Sequence, residues 1–285
     1  MRIRLMVLAL TAVATILSLH AASPLAAPRK GAPYAAWQRG GPADTRPTPR
    51  WPDGRVNLGA LTGEKGVWER RNELLAINPK SYQAAASNSS RIHIDTIPLQ
   101  PWARAITDYR QSLSLASEPY TRCKPSGGPR QFMSPYGLEI VDLPELKRIY
   151  IFNTSNSQTF RVIYMDGRSH PATPAPSYLG HSIGKWEGDT LVIDSVGYSE
   201  DFWMNRDALP HTSQLHLTER VTRTRFDTLN YEVTVDDPGA YTAPWTSGYT
   251  LGWSRDGELF EYVCQQNNLS PESMVGDGRI STIIP

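Results

Sequence analysis

The chain has 285 residues, with 29 Lys and Arg against 28 Asp and Glu and a formal net charge of +1 at pH 7. Nucleic-acid binding needs a concentrated basic surface, so this balance argues against a nucleic-acid partner. The length allows one large domain, because all-β barrels commonly run to about 200–250 residues as a single domain.

The first residues predict a secretory signal peptide over residues 1–27. Arg2 and Arg4 precede an apolar run from Leu5 to about Leu19, and small residues follow up to Ala27. This order is typical of a secretory signal, and the run is short for a membrane-spanning helix, which needs about 20 apolar residues. We therefore expect a periplasmic or secreted protein with no stable membrane anchor after cleavage. An uncleaved membrane anchor is the alternative.

Residues 28–97 predict a Pro/Gly-rich arm with a short helix. Four prolines fall within Gly40–Asp53, which favours an irregular segment that wraps the domain or stays mobile. The pattern from Trp68 to Ala86 suits a short helix. Pro101–Ser117 is the strongest helical segment, because proline suits the first turn and apolar residues recur on one face. That face carries Trp102, Ile106, Tyr109 and Leu113.

Residues 98–285 predict a mainly β domain that forms an antiparallel, calycin-like barrel or half-barrel. Short segments of strand-forming residues alternate with Gly/Asp turns such as Asp166-Gly167 and Asp256-Gly257. Regular spacing of short strands is typical of such barrels. The predicted strands are Phe132–Val141, Arg148–Asn153, Phe160–Met165, Ser182–Trp186, Thr190–Val196, Leu215–Phe226, Thr228–Val235, Thr250–Trp253 and Leu259–Cys264.

Cys123 and Cys264 are the two cysteines of the chain. In an exported protein an even pair predicts a disulfide, with two unpaired buried thiols as the alternative. A disulfide would exclude both as nucleophiles. The sequence has no P-loop, no GxSxG elbow and no dinucleotide fingerprint after a strand, so we expect no cofactor. It has no HExxH motif and no Cys/His ligand spacing, so we expect no metal ion; a metal site formed by the histidines with Glu219 is the alternative.

Histidines and carboxylates between residues 166 and 220 indicate acid/base chemistry. Histidine titrates near neutral pH and can serve as a general acid or base. The first candidate is His181, which follows Gly180 at the start of a predicted strand; His216 and Asp194 are further candidates. The alternative is that these are turn residues and hydrogen-bonded core histidines.

Glu219 is the fourth candidate, because it interrupts the apolar face of a predicted strand. A carboxylate there is costly unless it is paired, and broken local rules concentrate at functional sites. His216 starts on the opposite face, so it would join Glu219 only through a bulge. Alternatively, the face opens to solvent near the strand end.

Four residues are candidates for substrate binding. Arg122 and Arg220 could bind a developing anion, and Trp186 and Tyr178 could contact the substrate. Trp186 would share a face with His181 only if the strand has a bulge at Gly184. The alternative for Arg122 is a structural ion pair with Glu219 or Glu139.

Five segments carry a resemblance to known proteins. They are Pro119–Cys123 with Gly128-Pro129-Arg130, Met165–Pro171, Gly180–Leu191, His216 with Glu219-Arg220, and Glu261–Cys264. Together they resemble a widespread family of exported bacterial proteins usually described as hypothetical. The resemblance covers about residues 98–268 and implies export and a shared architecture, but no particular reaction. The hairpin Leu215–Val235 also resembles the hairpins of lipocalin-like (calycin) barrels.

These features favour an exported enzyme that performs cofactor-free elimination, hydration or isomerisation on a small, partly apolar molecule. His181 would be the base or acid, and Glu219 or Asp194 would orient a histidine. The alternatives are a periplasmic carrier for a lipophilic or aromatic ligand and a structural envelope module. The carrier would have tryptophan walls made by Trp186, Trp203, Trp245 and Trp253.

Overall fold

The computed structural model describes residues 44–74, 94–113, 117–134, 136–154 and 159–264. The predicted signal peptide lies outside these residues, as do residues 75–86 of the helix predicted from Trp68 and the last 21 residues of the chain.

The described residues form a closed barrel of nine strands, which confirms the all-β barrel prediction. Each strand pairs with its neighbours in the sequence, and the first also pairs with the last. The strands are β1 (Val67–Leu74), β2 (Leu138–Leu143), β3 (Arg148–Asn153), β4 (Phe160–Tyr164), β5 (His181–Glu187), β6 (Thr190–Val196), β7 (His216–Arg225), β8 (Thr228–Asp236) and β9 (Trp245–Ser254).

The barrel is mixed rather than wholly antiparallel, because β4 and β5 pair in parallel. The sequence predicts a hairpin turn at Asp166-Gly167, and this is wrong. The chain instead crosses the outside of the barrel over residues 165–180 before β5 begins. Prolines recur along this crossover at Pro171, Pro174 and Pro176, and each removes a backbone donor that a returning strand would need.

Alternation of apolar and polar residues explains the other hairpins. Along β8, Leu229, Tyr231 and Val233 are buried while the intervening residues are half-buried, as period two requires. The β5–β6 connection is a two-residue turn, in which Gly188 adopts a φ of 59° that other residues rarely tolerate.

One α-helix, α1 (Pro101–Ser112), occurs in the described ranges, within the segment where the sequence predicts it. Its buried residues are Ala103 and Thr107, whereas Trp102 and Tyr109 are about half exposed. The predicted packing face is therefore wrong. Short 3-10 helices occur at Ile94–Thr96, Pro119–Arg122, Gly128–Met133 and Pro144–Leu146.

The helix predicted from Trp68 is also wrong over its described part, since those residues form β1. Trp68 is fully buried and pairs with Trp253 of β9, so tertiary packing overrides the local helical pattern. The barrel therefore begins inside the segment that the sequence assigns to the arm. The preceding residues pack on the barrel as well, because the Trp68 indole donates to the Leu58 carbonyl at 2.6 Å.

Side chains fill the barrel interior. Phe132 stacks on Tyr231 with ring centroids 3.9 Å apart, and Tyr231 in turn stacks on Tyr249. Trp68 packs edge-on against Trp253 at 4.8 Å. All five belong to one continuous apolar core, so the interior is packed rather than open.

Cys123 and Cys264 form a disulfide with Cα atoms 5.5 Å apart, which confirms the predicted pair. The bond fastens the segment after β9 to the turn before β2. The strand predicted over Leu259–Cys264 is wrong, because this segment is irregular. Among the residues described, no helix is long and apolar enough to span a membrane.

Candidate functional site

A row of ionisable side chains crosses the outer face of strands β5, β6 and β7. His181 begins β5, Asp194 lies in β6 and His216 begins β7. Their sequence neighbours Ser182, Ser195 and Leu217 are fully buried toward the interior. Side chains alternate across a strand, so the three site residues face outward and remain partly exposed.

The crossover brings a fourth residue, His170, into this row. Nδ1 of His170 lies 2.7 Å from Nδ1 of His181, and Nε2 of His170 lies 2.7 Å from Oδ1 of Asp194. The other carboxylate oxygen of Asp194 lies 2.9 Å from Nε2 of His216. Asp194 thus bridges two histidines, and a third is linked through His170. We call these four residues the His–Asp relay.

The hydrogen bonds of the relay restrict the tautomers that its histidines can adopt. An ionised carboxylate only accepts, so His170 must donate from Nε2 to Asp194. In the form in which His170 carries one proton, its Nδ1 accepts, and the donor to it is Nδ1–H of His181. A neutral His181 therefore keeps its lone pair on Nε2, and no residue within the described ranges hydrogen-bonds this atom. The arrangement leaves one basic nitrogen at the end of the chain of hydrogen bonds.

The surroundings favour these protonation states. Burial, and then the neighbouring His170 and Arg168, lower the pKa of His181 below its ordinary value of 6.5. Burial alone would raise the pKa of Asp194, but the hydrogen bonds from His216 and His170 outweigh it and leave the pKa lowered. At neutral pH His181 is therefore a neutral base and Asp194 is an anion.

Two residues flank His181. The ring of Tyr164 stacks on its imidazole with centroids 5.3 Å apart and an interplanar angle of 22°. The guanidinium of Arg168 lies 4.0 Å from the Tyr164 centroid, and Asp166 pairs with Arg168. These contacts limit the rotation of the His181 ring, because one of its faces is covered.

A separate ionic network lies inside the barrel, behind the relay. Arg161 of β4 donates to Glu219 of β7 through both terminal nitrogens, one at 3.0 Å. Arg161 also donates to Ser182 at 2.9 Å and to Ser195 at 2.6 Å, and the Tyr231 hydroxyl donates to Glu219 at 2.7 Å. Both charged side chains are fully buried.

This network fixes the strands that carry the relay. Ser182 follows His181 in β5 and Ser195 follows Asp194 in β6, so each hydroxyl that binds Arg161 adjoins a relay residue. Burial alone would lower the pKa of Arg161, but Glu219 more than compensates and raises it. Burial, followed by the charge of Glu219, raises the pKa of Tyr231. At neutral pH Arg161 is therefore a cation and the Tyr231 hydroxyl remains a hydrogen-bond donor.

The structure does not group the candidates as the sequence suggests. Glu219 lies on the inner face and its partner is Arg161, so it does not meet His181 or His216, and it is not the ion-pair partner of Arg122. Trp186 also lies on the inner face, because β5 pairs regularly with β6 and has no bulge at Gly184. Its side chain packs against the apolar core.

The remaining substrate-binding candidates lie away from the relay. Arg220 shares the outer face with His216 but lies four residues along β7, where it pairs with Glu187 at 2.9 Å. Tyr178 packs against Phe202, with centroids 6.5 Å apart. Arg122 is exposed next to Cys123. None of the three contacts a relay residue within the described ranges.

His170 and Arg161 are the residues that sequence reasoning missed as site members. His170 lies in the cluster of histidines and carboxylates between residues 166 and 220 from which the candidates were selected, and this was the available signal. For Arg161 the signal was the unpaired Glu219 on an apolar face, which requires a buried cation. Neither partner could be assigned, because both contacts depend on the parallel β4–β5 pairing.

Among the described residues, no three His, Cys, Asp or Glu side chains have an arrangement suited to hold a metal ion. In comparisons with known proteins, no family model, no curated protein and no solved structure matches this chain.

Proposed function

We propose that this protein is an exported enzyme that carries out cofactor-free acid/base chemistry on a small, partly apolar molecule. Elimination, hydration and isomerisation are the reactions that fit, because each requires only the removal and return of a proton. Nε2 of His181 is the base. The observation that supports this is the 2.7 Å contact between His170 and His181, continued by the 2.7 Å contact between His170 and Asp194.

The relay gives each residue a distinct role. Asp194 holds the tautomer of His170, and His170 holds that of His181. When His181 takes a proton at Nε2, its positive charge is stabilised through His170 by the Asp194 carboxylate. A positioned general base contributes about 10²–10⁴-fold to a rate. Arg161 and Glu219 are positioning residues, because they act through the strands that carry the relay.

Export is part of the proposal. The disulfide fits an oxidising compartment, and residues 1–27 carry the order of charged, apolar and small residues that marks a secretory signal. The resemblance to a family of exported bacterial proteins points the same way. Expression of the full chain in a Gram-negative host should give periplasmic protein whose N-terminus falls within Ala21–Ala27. Full-length protein retained in the cytoplasm would contradict export, and full-length protein in the membrane fraction would indicate the uncleaved anchor.

The packed interior favours a second candidate, a structural envelope module. Phe132, Tyr231 and Trp68 fill the barrel, so the barrel needs no ligand to complete its core. The tryptophan-walled carrier gains no such support, since Trp186, Trp245 and Trp253 pack against or within the core.

The test is a search for turnover with a matched variant. Wild-type protein is screened against a metabolite library by thermal shift, because a ligand that binds the native state raises its stability. The hits are then assayed for proton exchange and product formation. We expect His181→Ala to abolish turnover and to leave the melting temperature within about 2 °C, since the side chain is partly exposed.

Lys185→Ala is the control. Lys185 lies on the same outer face of β5 and is largely exposed, so its loss should affect neither turnover nor stability. Turnover that survives His181→Ala, or a large loss of stability in that variant, would make His181 structural. Hits that bind and never react would favour a carrier, and a screen without hits would favour the structural module.

A further inference from the structure

A partly exposed aromatic surface adjoins the relay on the outer face of β3 and β4. Phe152 pairs across the strands with Phe160, and Tyr150 pairs with Val162. The three rings lie within 6.0–6.2 Å of one another, centroid to centroid. Phe160 is 54% exposed although it is a large apolar residue. We call Tyr150, Phe152 and Phe160 the aromatic surface.

The aromatic surface continues to His181. The next outward pair along the two strands is Arg148 with Tyr164, and Tyr164 stacks on His181. From Phe160 to Tyr164 is four residues, which corresponds to about 13 Å at roughly 3.3 Å per residue. This length suits a molecule of two fused rings with its reactive end next to the base.

The end nearest His181 carries positive charge. The guanidinium groups of Arg168 and Arg148 lie 4.0 Å and 5.6 Å from the centroid of the Tyr164 ring. Asp166 neutralises Arg168. Arg148 contacts only the Tyr150 hydroxyl and the Tyr164 ring, and no carboxylate in the described parts of the chain forms an ion pair with it. One cation is thus left without an anion between the aromatic surface and the base.

We propose that this region binds the substrate, and that the substrate is a small carboxylate with a flat aromatic or otherwise unsaturated ring body. The inference rests on the proposed function of the relay and names the substrate class for it. The ring body packs on Tyr150 and Phe160, because aromatic pairs gain from offset or edge contacts beyond simple burial. The carboxylate binds Arg148, whose planar fork matches two carboxylate oxygens.

The placement has a chemical consequence at the base. A carboxylate held by Arg148 brings the adjacent atoms of the ligand toward His181, where Nε2 can reach a proton on them. The same guanidinium stabilises negative charge that develops on the ligand as that proton leaves. Arg148 and Phe160 therefore determine specificity, with one recognising the anion and the other the flat body.

Three probes test the proposal by calorimetry and by ligand-observed NMR. They are 2-naphthoate, its neutral analogue 2-naphthalenemethanol, and acetate, which lacks the ring body. We expect naphthoate to bind at least about fivefold more tightly than the alcohol, since a charge-assisted hydrogen bond is lost in the alcohol. Acetate should show no binding that can be measured under the same conditions.

Two variants assign the contacts. Arg148→Gln should weaken naphthoate about tenfold and leave the alcohol unchanged, whereas Phe160→Ser should weaken both. The controls are Arg206→Gln and Tyr109→Ser, which change exposed residues away from this face. Both Phe160 and Tyr109 are about half exposed, so the serine variants should fold alike.

The outcomes separate this inference from the proposed function, because binding does not require a working base. Naphthoate that binds neither more tightly than the alcohol nor more weakly to Arg148→Gln would overturn the inference. Binding that is lost equally in the two controls would overturn it as well. His181→Ala should retain naphthoate binding. A protein that binds as expected while His181 has the wrong tautomer would leave this inference standing and refute the relay.

Discussion

Removal of the buried negative charge at Glu219 should destabilise the barrel strongly. Glu219→Gln preserves the size of the side chain and an oxygen that can accept from Tyr231, but it leaves Arg161 buried with no counter-charge. Breaking a buried ion pair on one side costs about 3–5 kcal/mol. The free energy of unfolding of a typical domain is about 5–15 kcal/mol, so the variant should fold with much reduced stability.

A double-mutant cycle separates the pair from its surroundings. Its single variants are Arg161→Met and Glu219→Leu, and each should cost about 3–5 kcal/mol because it leaves one buried charge uncompensated. The double variant Arg161→Met with Glu219→Leu removes both charges, and its cost should fall to about 2–3 kcal/mol. That remainder comes from Ser182, Ser195 and Tyr231, whose hydroxyls each lose a hydrogen bond worth about 1 kcal/mol.

The assay is urea unfolding of the oxidised protein, followed by tryptophan fluorescence and far-UV circular dichroism. Glu187→Gln is the matched control, since Glu187 pairs with Arg220 on the exposed outer face and surface pairs contribute little. Stability of Glu219→Gln within about 1 kcal/mol of wild type would refute the reasoning. So would a double variant as unstable as the sum of the single ones.

The remaining predictions concern the disulfide, the pH dependence and the relay. Reduction of the Cys123–Cys264 bond, which joins residues 141 apart, should lower the free energy of unfolding by about 4–5 kcal/mol in the chain-entropy account; denaturant curves with and without dithiothreitol measure this, and unchanged midpoints would contradict it. Burial lowers the pKa of His211 below 6.5. On acidification the unfolded chain therefore takes up a proton at a higher pH than the folded protein does. The stability that results from this difference is fully present above pH 6.5 and is lost as the pH falls from 6.5 through the lowered pKa of the folded protein. His211→Gln should reduce the difference in stability between pH 7.5 and pH 5.5, and an unaltered difference would show that His211 does not contribute. Asp194→Asn should lower turnover at least about 100-fold with little change in the melting temperature, and a rate within a few fold of wild type would remove Asp194 from the mechanism.

The sequence predicts the strands well where local signals are complete. The bounds of β3 and β6 match their predicted ranges. Each strand begins directly after a turn, which lies at Lys147 before β3 and at Gly188-Asp189 before β6. It fails where pairing depends on distant residues. β1 carries a helix-like pattern, and only its pairing with β9 makes it a strand. The parallel β4–β5 pair likewise has no local signature, since its crossover begins with residues that also suit a hairpin.

The site shows the same division between local and tertiary information. Period two correctly separates His216 from Glu219, because the face of a side chain follows from its position in the strand. It does not reveal which face carries the chemistry, because the sequence analysis groups Glu219 of the apolar face with His181 and Asp194. The register that sets Asp194 between two histidines, and the crossover that delivers His170, are tertiary features. His181 and Asp194 could be named from sequence, but their geometry could not.

The tautomer of His181 tests the relay most directly. Long-range ¹⁵N–¹H NMR spectra of the full-length wild-type protein, recorded across pH and assigned with His170→Ala and His181→Ala, report which ring nitrogen carries the proton. We expect the Nδ1–H form for His181, the Nε2–H form for His170, and a His181 titration below pH 6.5. A His181 in the Nε2–H form, or one that stays protonated above pH 7, would contradict its role as the base.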